Sequence, residues 1–187
     1  MEQNKDLTAI SRHLCRLLRH EPELAGLHMD EHGWVEIREL LERFDRYPLT
    51  ARLLDQIVAE DDKGRYRISA DGEKIKCCQG HSIPWVQPEL TEEMPPKVLY
   101  HGTTAEAAEQ IMESGRIDKM GRHHVHMHGD MAQAWRSARR RKGKAGVLLV
   151  IDATAMVEAG FRFYRSENDI WFADSVPTAF IRETVRD

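Results

Sequence analysis

Cysteine is scarce in this sequence of 187 residues, which contains three, two of them adjacent at Cys77 and Cys78. An odd and closely spaced set does not suit a disulfide framework, so we expect reduced thiols and a cytoplasmic location. The N-terminus has no apolar segment of signal-peptide length, and no run approaches the roughly 18 apolar residues that cross a bilayer. We therefore expect neither a secretion signal nor a membrane anchor.

An excess of basic residues is also missing. The sequence has 27 Lys and Arg against 31 Asp and Glu, a formal net charge of −4. Because nonspecific nucleic-acid binding normally depends on a basic surface, any phosphate recognition must come from particular arginines. The sequence has neither a GxGxxG motif nor a Walker lysine loop, which excludes a Rossmann or P-loop nucleotide site. It also has no internal repeat.

The N-terminal part of the chain has the pattern of three helices followed by a β-hairpin. Apolar residues recur at helical spacing in the first two segments, Thr50 can cap the third, and Asp71-Gly72 is a strong hairpin turn. This order predicts a winged-helix-like lobe over residues 1–83, although such lobes serve either nucleic-acid or protein binding. The predicted elements are helices at 6–19, through Val35 to Phe44, and after Thr50, and strands Tyr66–Ser69 and Glu73–Cys77.

Basic residues lie at two element ends in this lobe. Arg19-His20 ends the first helix before Pro22, where its donors can reach outwards. The alternative is a cation pair that complements the helix dipole. Arg65 lies at the entry of the hairpin, where the alternative is a solvated basic strand end.

The composition changes after this lobe. Residues 84–97 contain Pro84, Pro88, Pro95 and Pro96, so we predict a linker. Residues 98–187 then alternate short apolar strands with helices, which predicts an α+β lobe with a mixed or antiparallel sheet. The predicted strands are 98–100, 122–127, 146–152, 161–164 and 170–172, and the predicted helices are 104–114, 130–139 and 153–159. The basic run Arg139, Arg140, Arg141, Lys142 and Lys144 is interpreted as a solvated helix end or an RNA contact.

The segment RHHVH, from Arg122 to His126, concentrates polar chemistry next to apolar residues. If the segment is extended, side-chain alternation places Arg122, His124 and His126 on one face. A guanidinium fork beside two imidazoles suits an anionic substrate. A zinc site that includes His128 is the competing interpretation, but it lacks the usual carboxylate or thiolate ligands. A structural histidine strand is the other alternative, and we predict no metal.

Two further polar segments adjoin predicted strands. His101-Gly102-Thr103 directly follows the strand VLY, so an imidazole, a bare backbone and a hydroxyl meet at a strand end. This combination suits a ligand, because a ribose or amide can approach glycine closely. Ser166–Asp169 is a second polar loop, before the strand IWF, and by itself it has the composition of a turn.

Taken together, these motifs resemble the RNA 2′-phosphotransferase family, enzymes that remove the 2′-phosphate left at a tRNA splice junction. The resemblance covers nearly the whole chain, and the motifs occur in the family's order: SRHLCRLLRH, GWVEI, DKGRY, QGHS, YHGT, RHHVH and SENDIW. It implies a winged-helix-like RNA lobe and a C-terminal lobe of ADP-ribosyltransferase fold that binds NAD. Lys76-Cys77, Asp169 and His128 depart from the residues common in the family, which bears on substrate preference.

The resemblance also implies roles for individual residues. The catalytic set is Arg19, His20, Arg65 and Arg122. The residues expected to bind NAD are His101, Gly102, Thr103, His124 and His126, with Ser166 and Asn168 from the polar loop.

In the reaction that the resemblance implies, the RNA 2′-phosphate displaces nicotinamide from NAD, which is consumed. The ribose 2″-hydroxyl then attacks the phosphorus and releases 2′-OH RNA and ADP-ribose 1″,2″-cyclic phosphate. The alternatives are an ADP-ribosyltransferase acting on nucleic-acid ends or protein, and a winged-helix regulator that senses NAD without turnover. The expected partners are NAD and a 2′-phosphorylated, tRNA-like RNA. We favour a monomer, although the sequence carries no signal for the oligomeric state.

Overall fold

The computed structural model describes residues 2–45, 47–139 and 144–187. The chain forms two compact units, Met1–Glu89 and Leu90–Asp187. In the described ranges, no helix is both long and apolar enough to cross a membrane. The helices, together with strands that pair antiparallel, make the α+β class of the sequence prediction correct.

The N-terminal unit combines three α-helices with a small sheet. The strand order is β1-β3-β2, and both pairings are antiparallel. The elements are α1 (Glu2–Arg19), a 3-10 helix (Pro22–Ala25), β1 (Val35–Glu36), α2 (Ile37–Arg43), α3 (Ala51–Ala59), β2 (Tyr66–Ile68) and β3 (Lys74–Cys77).

Local signals explain most of this unit. Leu14, Leu17 and Leu18 recur along one face of α1 and are fully buried in a core that β3 also lines. The Thr50 hydroxyl accepts a hydrogen bond from Leu53 N, which confirms the predicted cap of α3. The predicted hairpin is also confirmed. Val35, however, lies in β1 opposite Ile75 and not in a helix, because its backbone pairs with β3.

The C-terminal unit is organised by a seven-stranded sheet of order β12-β8-β5-β7-β10-β9-β4. All of its pairings are antiparallel, which decides between the mixed and antiparallel alternatives. The strands are β4 (Thr91–Glu92), β5 (Val98–Thr104), β6 (Arg116–Ile117), β7 (Val125–His128), β8 (Gly146–Asp152), β9 (Tyr164–Arg165), β10 (Ile170–Ala173), β11 (Val176–Pro177) and β12 (Ile181–Arg186). The helices are α4 (Ala105–Ser114), α5 (Met131–Ala138), α6 (Ala153–Glu158) and a 3-10 turn (Thr178–Phe180). Strands β6 and β11 form a separate pair.

Strand bounds differ from the sequence prediction at several places: β9, for example, begins at Tyr164 and not at residue 161, and two differences affect the predicted site residues. Strand β5 continues through His101, Gly102 and Thr103, because β8 pairs with it as far as Thr104. The predicted placement of this triplet at a strand end is therefore wrong. Strand β7 begins at Val125, where its pairing with β10 ends, so Arg122 and His124 precede the strand. Strand alternation therefore does not place Arg122 on the face of His126.

The predicted linker, residues 84–97, contains the boundary between the units but is not structureless. Val86 is fully buried within the N-terminal unit, and β4 pairs with β9 in the C-terminal sheet. In the predicted basic run, Arg139 directly follows α5 and pairs with Asp187, and Lys144 pairs with Glu106. Arg140, Arg141 and Lys142 lie outside the described residues.

Candidate active site

In the N-terminal unit, Arg19 is the last residue of α1 and His20 follows it, as predicted. The Nε and Nη2 atoms of Arg19 are buried, and no oxygen acceptor in the described part of the chain is bonded to them. Gly80 lies against this guanidinium in a left-handed conformation with φ of 87°, and a Cβ there would be 3.5 Å from the Arg19 Cζ. The missing side chain at Gly80 therefore leaves space beside the guanidinium.

Two thiols lie beside Arg19. A hydrogen bond with Cys77 lowers the pKa of Cys15 to about 6, burial opposes this shift, and the charge of Arg19 favours it. Burial raises the pKa of Cys77 well above its usual value. Burial also disfavours the charged form of Arg19, but the two cysteines reverse this and raise its pKa. All three cysteines are free thiols, as expected.

His20 is oriented by a residue that the sequence did not single out. Its Nδ1 atom lies 2.9 Å from the Ser82 hydroxyl. The Ser82 backbone N–H also donates to the Arg19 carbonyl at 3.0 Å. Ser82 therefore contacts both members of the Arg-His pair. Its place in the QGHS motif was the available signal, although the spacing alone did not show this contact.

Arg65 is held by Asp61, a second partner that sequence reasoning missed. The Arg65 Nε donates to Asp61 Oδ1 at 2.8 Å, and Nη2 lies 2.6 Å from the same oxygen. Burial would lower the pKa of Arg65, but the hydrogen bond to Asp61 and its charge raise it. The alternative of a solvated strand end is therefore wrong.

One segment, Cys77–Ser82, connects these residues, through the backbone of Arg19 and Arg65 and through the side chain of His20. The Cys78 N–H donates to the Arg65 carbonyl at 2.8 Å, and Ser82 bonds to Arg19 and His20 as described above. The motifs LLRH, DKGRY and QGHS are distant in sequence but meet here. The unit thus brings together Arg19, His20 and Arg65, three of the four predicted catalytic residues.

In the C-terminal unit, the site residues surround a place where β5 and β7 stop pairing. These neighbouring strands are in register only at Tyr100 opposite His128. Beyond that pair, the His101 side chain contacts the neighbouring strand: its Nδ1 lies 2.9 Å from the His126 carbonyl oxygen. Because a carbonyl only accepts, Nδ1 carries the proton, and neutral His101 presents Nε2 as an acceptor. Burial lowers the pKa of His101, the bond to His126 opposes this, and the Arg122 charge lowers it further.

His124 and His126 pack against aromatic rings of neighbouring strands. The His126 ring lies 4.7 Å from Phe172, and its Nδ1 is 3.0 Å from the His124 carbonyl. The His124 ring lies 5.8 Å from Tyr164. Burial lowers the pKa of His124, and Asp174 opposes the shift. Both imidazoles therefore pack against Phe172 of β10.

Arg122 is exposed and lies in the turn that precedes β7. Its backbone N–H donates to the Lys119 carbonyl at 3.1 Å. Its charge acts on the pKa of His101, so the guanidinium lies within electrostatic reach of that imidazole. We refer to Arg122, His101, His124 and His126 as the C-terminal cluster, because His101 bonds to His126 and because His124 and His126 both contact Phe172.

Gly102 has a packing role that differs from its predicted one. A Cβ at this position would overlap the Ala134 carbonyl oxygen of α5 and lie 3.0 Å from Ala138 N. The missing side chain lets α5 pack directly on β5, so this side of the glycine is closed to a cofactor. Thr103 lies opposite Val147, and strand alternation directs it to the same face as His101.

Ser166 and Asn168 lie in the turn between β9 and β10. The Ser166 hydroxyl donates to the Asn168 side chain at 2.8 Å and accepts from Ile170 N at 3.2 Å, which closes the turn. Since Ile170 is opposite His128, this turn is at the far end of β7 from Arg122 and His124. Asp169 has a left-handed φ of 62°, a conformation that favours glycine, the residue that the resemblance leads us to expect here. The structure thus gives Ser166 and Asn168 a turn-forming role at this end of β10, and their part in cofactor binding stays a prediction.

Among the described residues, no group of three or more His, Cys, Asp or Glu side chains is arranged to hold a metal ion. The prediction of a reaction without metal stays a prediction.

Comparison with known proteins gives a consistent result. Residues 5–175 match the family model described as RNA 2′-phosphotransferase, Tpt1 / KptA family. Proteins named "Probable RNA 2′-phosphotransferase" from Fusobacterium nucleatum and Rhodopirellula baltica are 41% and 40% identical. The alignments cover 92% and 97% of this chain and 96% and 98% of those proteins. A protein of the same name from Flavobacterium johnsoniae is 41% identical over 92% of this chain and 94% of its own length. The chain therefore belongs to the RNA 2′-phosphotransferase family.

Proposed function

We propose that this protein removes an internal 2′-phosphate from RNA and consumes NAD in doing so. The products are 2′-OH RNA, nicotinamide and ADP-ribose 1″,2″-cyclic phosphate. The observation that carries the proposal is the attachment of Arg19, His20 and Arg65 to the single segment Cys77–Ser82, in a chain of this family. A tRNA-like RNA is the proposed substrate.

The side chains of the N-terminal unit suit a phosphomonoester dianion. Arg19 and Arg65 are permanent cations; two guanidinium nitrogens of Arg19 are buried, and Arg65 is held by a carboxylate before any substrate arrives. A charge-assisted hydrogen bond contributes about 1.5 to 3 kcal/mol, so a few of them outweigh the cost of ordering an RNA phosphate. His20 is exposed and oriented by Ser82, which suits a group that accepts and returns a proton.

The side chains of the C-terminal unit suit a dinucleotide with hydroxyl and pyrophosphate groups. Neutral His101 offers an acceptor to a ribose hydroxyl, and the exposed guanidinium of Arg122 offers paired donors to an anionic oxygen. His124 and His126 would complete this surface. Gly102 would contribute through the packing of α5, and Ser166 and Asn168 through the turn that they close.

In the first step, a 2′-phosphate oxygen of the RNA attacks the ribose C1″ of NAD. The bond to nicotinamide breaks, and nicotinamide leaves as a neutral ring, so this step depends mainly on orientation. In the second step, the 2″-hydroxyl attacks the phosphorus and the bond to the RNA 2′-oxygen breaks. His20 takes the hydroxyl proton and returns a proton to the RNA oxygen, while the arginines stabilise charge on the phosphate.

The test uses the purified full chain, NAD and an oligonucleotide with one internal 2′-phosphate, with the unphosphorylated oligonucleotide as control. We expect phosphate loss, nicotinamide release and the cyclic product, with an unchanged rate in EDTA. A stable ADP-ribosylated RNA would favour an ADP-ribosyltransferase, and NAD binding without nicotinamide release would favour a regulator. Loss of activity in EDTA with rescue by zinc would contradict the proposed metal-free mechanism.

A further inference from the structure

We propose that Asp61 is a positioning residue for the reaction, because it saturates one edge of the Arg65 guanidinium and leaves the other edge for the transferred phosphate. This inference rests on the proposed function, in which Arg65 acts on that phosphate. In this role Asp61 acts through Arg65, the residue that it contacts.

The Asp61 carboxylate is enclosed by the loop that it organises. Its side chain is 1% exposed, whereas that of Arg65 is 29% exposed. Oδ1 accepts from Arg65 Nε at 2.8 Å and lies 2.6 Å from Nη2, and Oδ2 accepts from the Arg65 backbone N–H. The Gly64 N–H donates to the Asp61 carbonyl at 2.9 Å and tightens the same turn. The carboxylate therefore holds both the backbone and the side chain of Arg65.

The geometry of a guanidinium gives this contact its consequence. The group has two paired donor edges, one formed by Nε and Nη2 and the other by Nη1 and Nη2. Asp61 occupies the first edge, so an incoming phosphate meets the second in a fixed orientation. The contact of the Arg65 guanidinium with the Tyr66 ring, at 5.7 Å, restrains it further.

A carboxylate beside an anion site is unfavourable for binding, which identifies what Asp61 contributes. Its negative charge offsets the positive charge of Arg65 and repels a phosphate, so it does not strengthen ground-state binding. Its contribution is the orientation of donors toward oxygens that gain charge during phosphoryl transfer. Loss of Asp61 should therefore slow the second step without weakening RNA binding.

Asp61→Asn separates this role from support of the loop. The amide oxygen can still accept from the Arg65 backbone N–H, but the charge is lost and the side-chain contact is weakened. The matched control is Asp62→Asn, which removes a neighbouring exposed carboxylate. Single-turnover reactions with NAD and the 2′-phosphorylated oligonucleotide resolve the two steps, and RNA titration gives the Kd.

We expect Asp61→Asn to slow the second step at least tenfold, with the RNA Kd within about threefold of the wild-type value, and Asp62→Asn to match the wild type. In the Arg65→Ala background, Asp61→Asn should have no further effect, because the guanidinium that Asp61 positions is absent. Equal slowing in both backgrounds, or a change in Kd alone, would overturn the inference. If the wild-type chain lacks NAD-dependent dephosphorylation, the proposed function fails instead.

A measurement on the wild-type protein tests the same contact without relying on the folding of a variant. The Nε–H resonance of Arg65, assigned by its absence in Arg65→Ala, should exchange slowly with water because Asp61 accepts this proton. Exchange as fast as that of a solvated arginine would show that the carboxylate does not hold the guanidinium, and the positioning role would be rejected.

Discussion

The two units hold their site residues by different means. In the N-terminal unit, side chains restrain the reactive groups: Asp61 binds Arg65, and Ser82 lies against His20. In the C-terminal unit, the main chain does so, since the His126 carbonyl orients His101. His126 is itself oriented by the His124 carbonyl.

This difference determines what a substitution does. In the N-terminal unit, a partner such as Asp61 or Ser82 can be replaced while the surrounding helices and hairpin keep their hydrophobic core. The histidines of the C-terminal cluster depend on where β5 and β7 stop pairing, so changes there act through the sheet. We expect altered chemistry in a folded protein from the first group and altered stability from the second.

The largest expected effect tests whether arginines from both units act in the same step. Arg65→Ala and Arg122→Ala should each slow the second step about 10²- to 10³-fold, because phosphate oxygens need stabilisation throughout phosphoryl transfer. RNA that carries ADP-ribose on its 2′-phosphate should then accumulate, visible by gel mobility after a timed reaction with NAD.

Arg122→Lys is the control that separates the positive charge of Arg122 from its bidentate hydrogen bonding. It keeps the positive charge but loses the bidentate fork, so it should restore little activity. If both alanine variants consume RNA slowly with no trapped intermediate, the arginines serve binding or the first step, and the assignment to the second step is wrong.

The next effect tests the dependence of the C-terminal cluster on packing. Gly102→Ala should destabilise this unit by about 3 kcal/mol, since the new methyl group overlaps backbone atoms of α5 and neither element can move freely. Gly121→Ala is the matched control, because its Cβ would meet no atom within 4 Å. Urea unfolding of both variants measures the difference. Equal stability would show that α5 shifts at little cost.

Much of the fold could be predicted because local signals coincide with it. The strand 146–152 was predicted with its observed bounds from a continuous apolar run, and Asp71-Gly72 marked the hairpin. Strand β12 was missed because its residues are mostly exposed and charged, and it is a strand only through its pairing with β8. Pairing with β10 likewise sets where β7 begins, which periodicity does not reveal.

The site shows the same limit. The placement of Arg19-His20 at a helix end followed from apolar spacing and Pro22. The role of Asp61 could not be predicted in this way, because DDKGR has the composition of an ordinary turn. A side-chain bond to Arg65, four residues later, has no sequence signature. The neighbour that closes one side of Gly102 is on a helix distant in sequence, so only the structure shows it.

A smaller effect is expected at Ser82. Ser82→Ala removes the hydroxyl that orients His20, and because both residues are exposed we expect a rate decrease of about tenfold or less. Ser82→Thr keeps a hydroxyl and should retain most of the activity. Single-turnover rates at one pH, in wild-type and His20→Ala backgrounds, measure this. An equal loss in the His20→Ala protein would show that Ser82 acts through the Arg19 backbone instead.

The smallest expected effect is the contribution of His101 to the pH dependence of stability in the C-terminal unit. Burial lowers the pKa of His101 in the folded protein, whereas in the unfolded chain it is about 6.5. Between these two values the unfolded chain binds more protons, so the free energy of unfolding falls as pH drops. The contribution is complete above about pH 6.5 and is lost as pH falls through the folded pKa.

His101→Gln lacks this titration, and its amide can still donate to the His126 carbonyl, so its urea midpoint should decline less between pH 7 and pH 5. Probes in the N-terminal unit should report the same pH dependence in both proteins. Parallel curves for the C-terminal unit would mean that His101 titrates as it does in the unfolded chain, and its proposed neutral form as an acceptor would lose its basis.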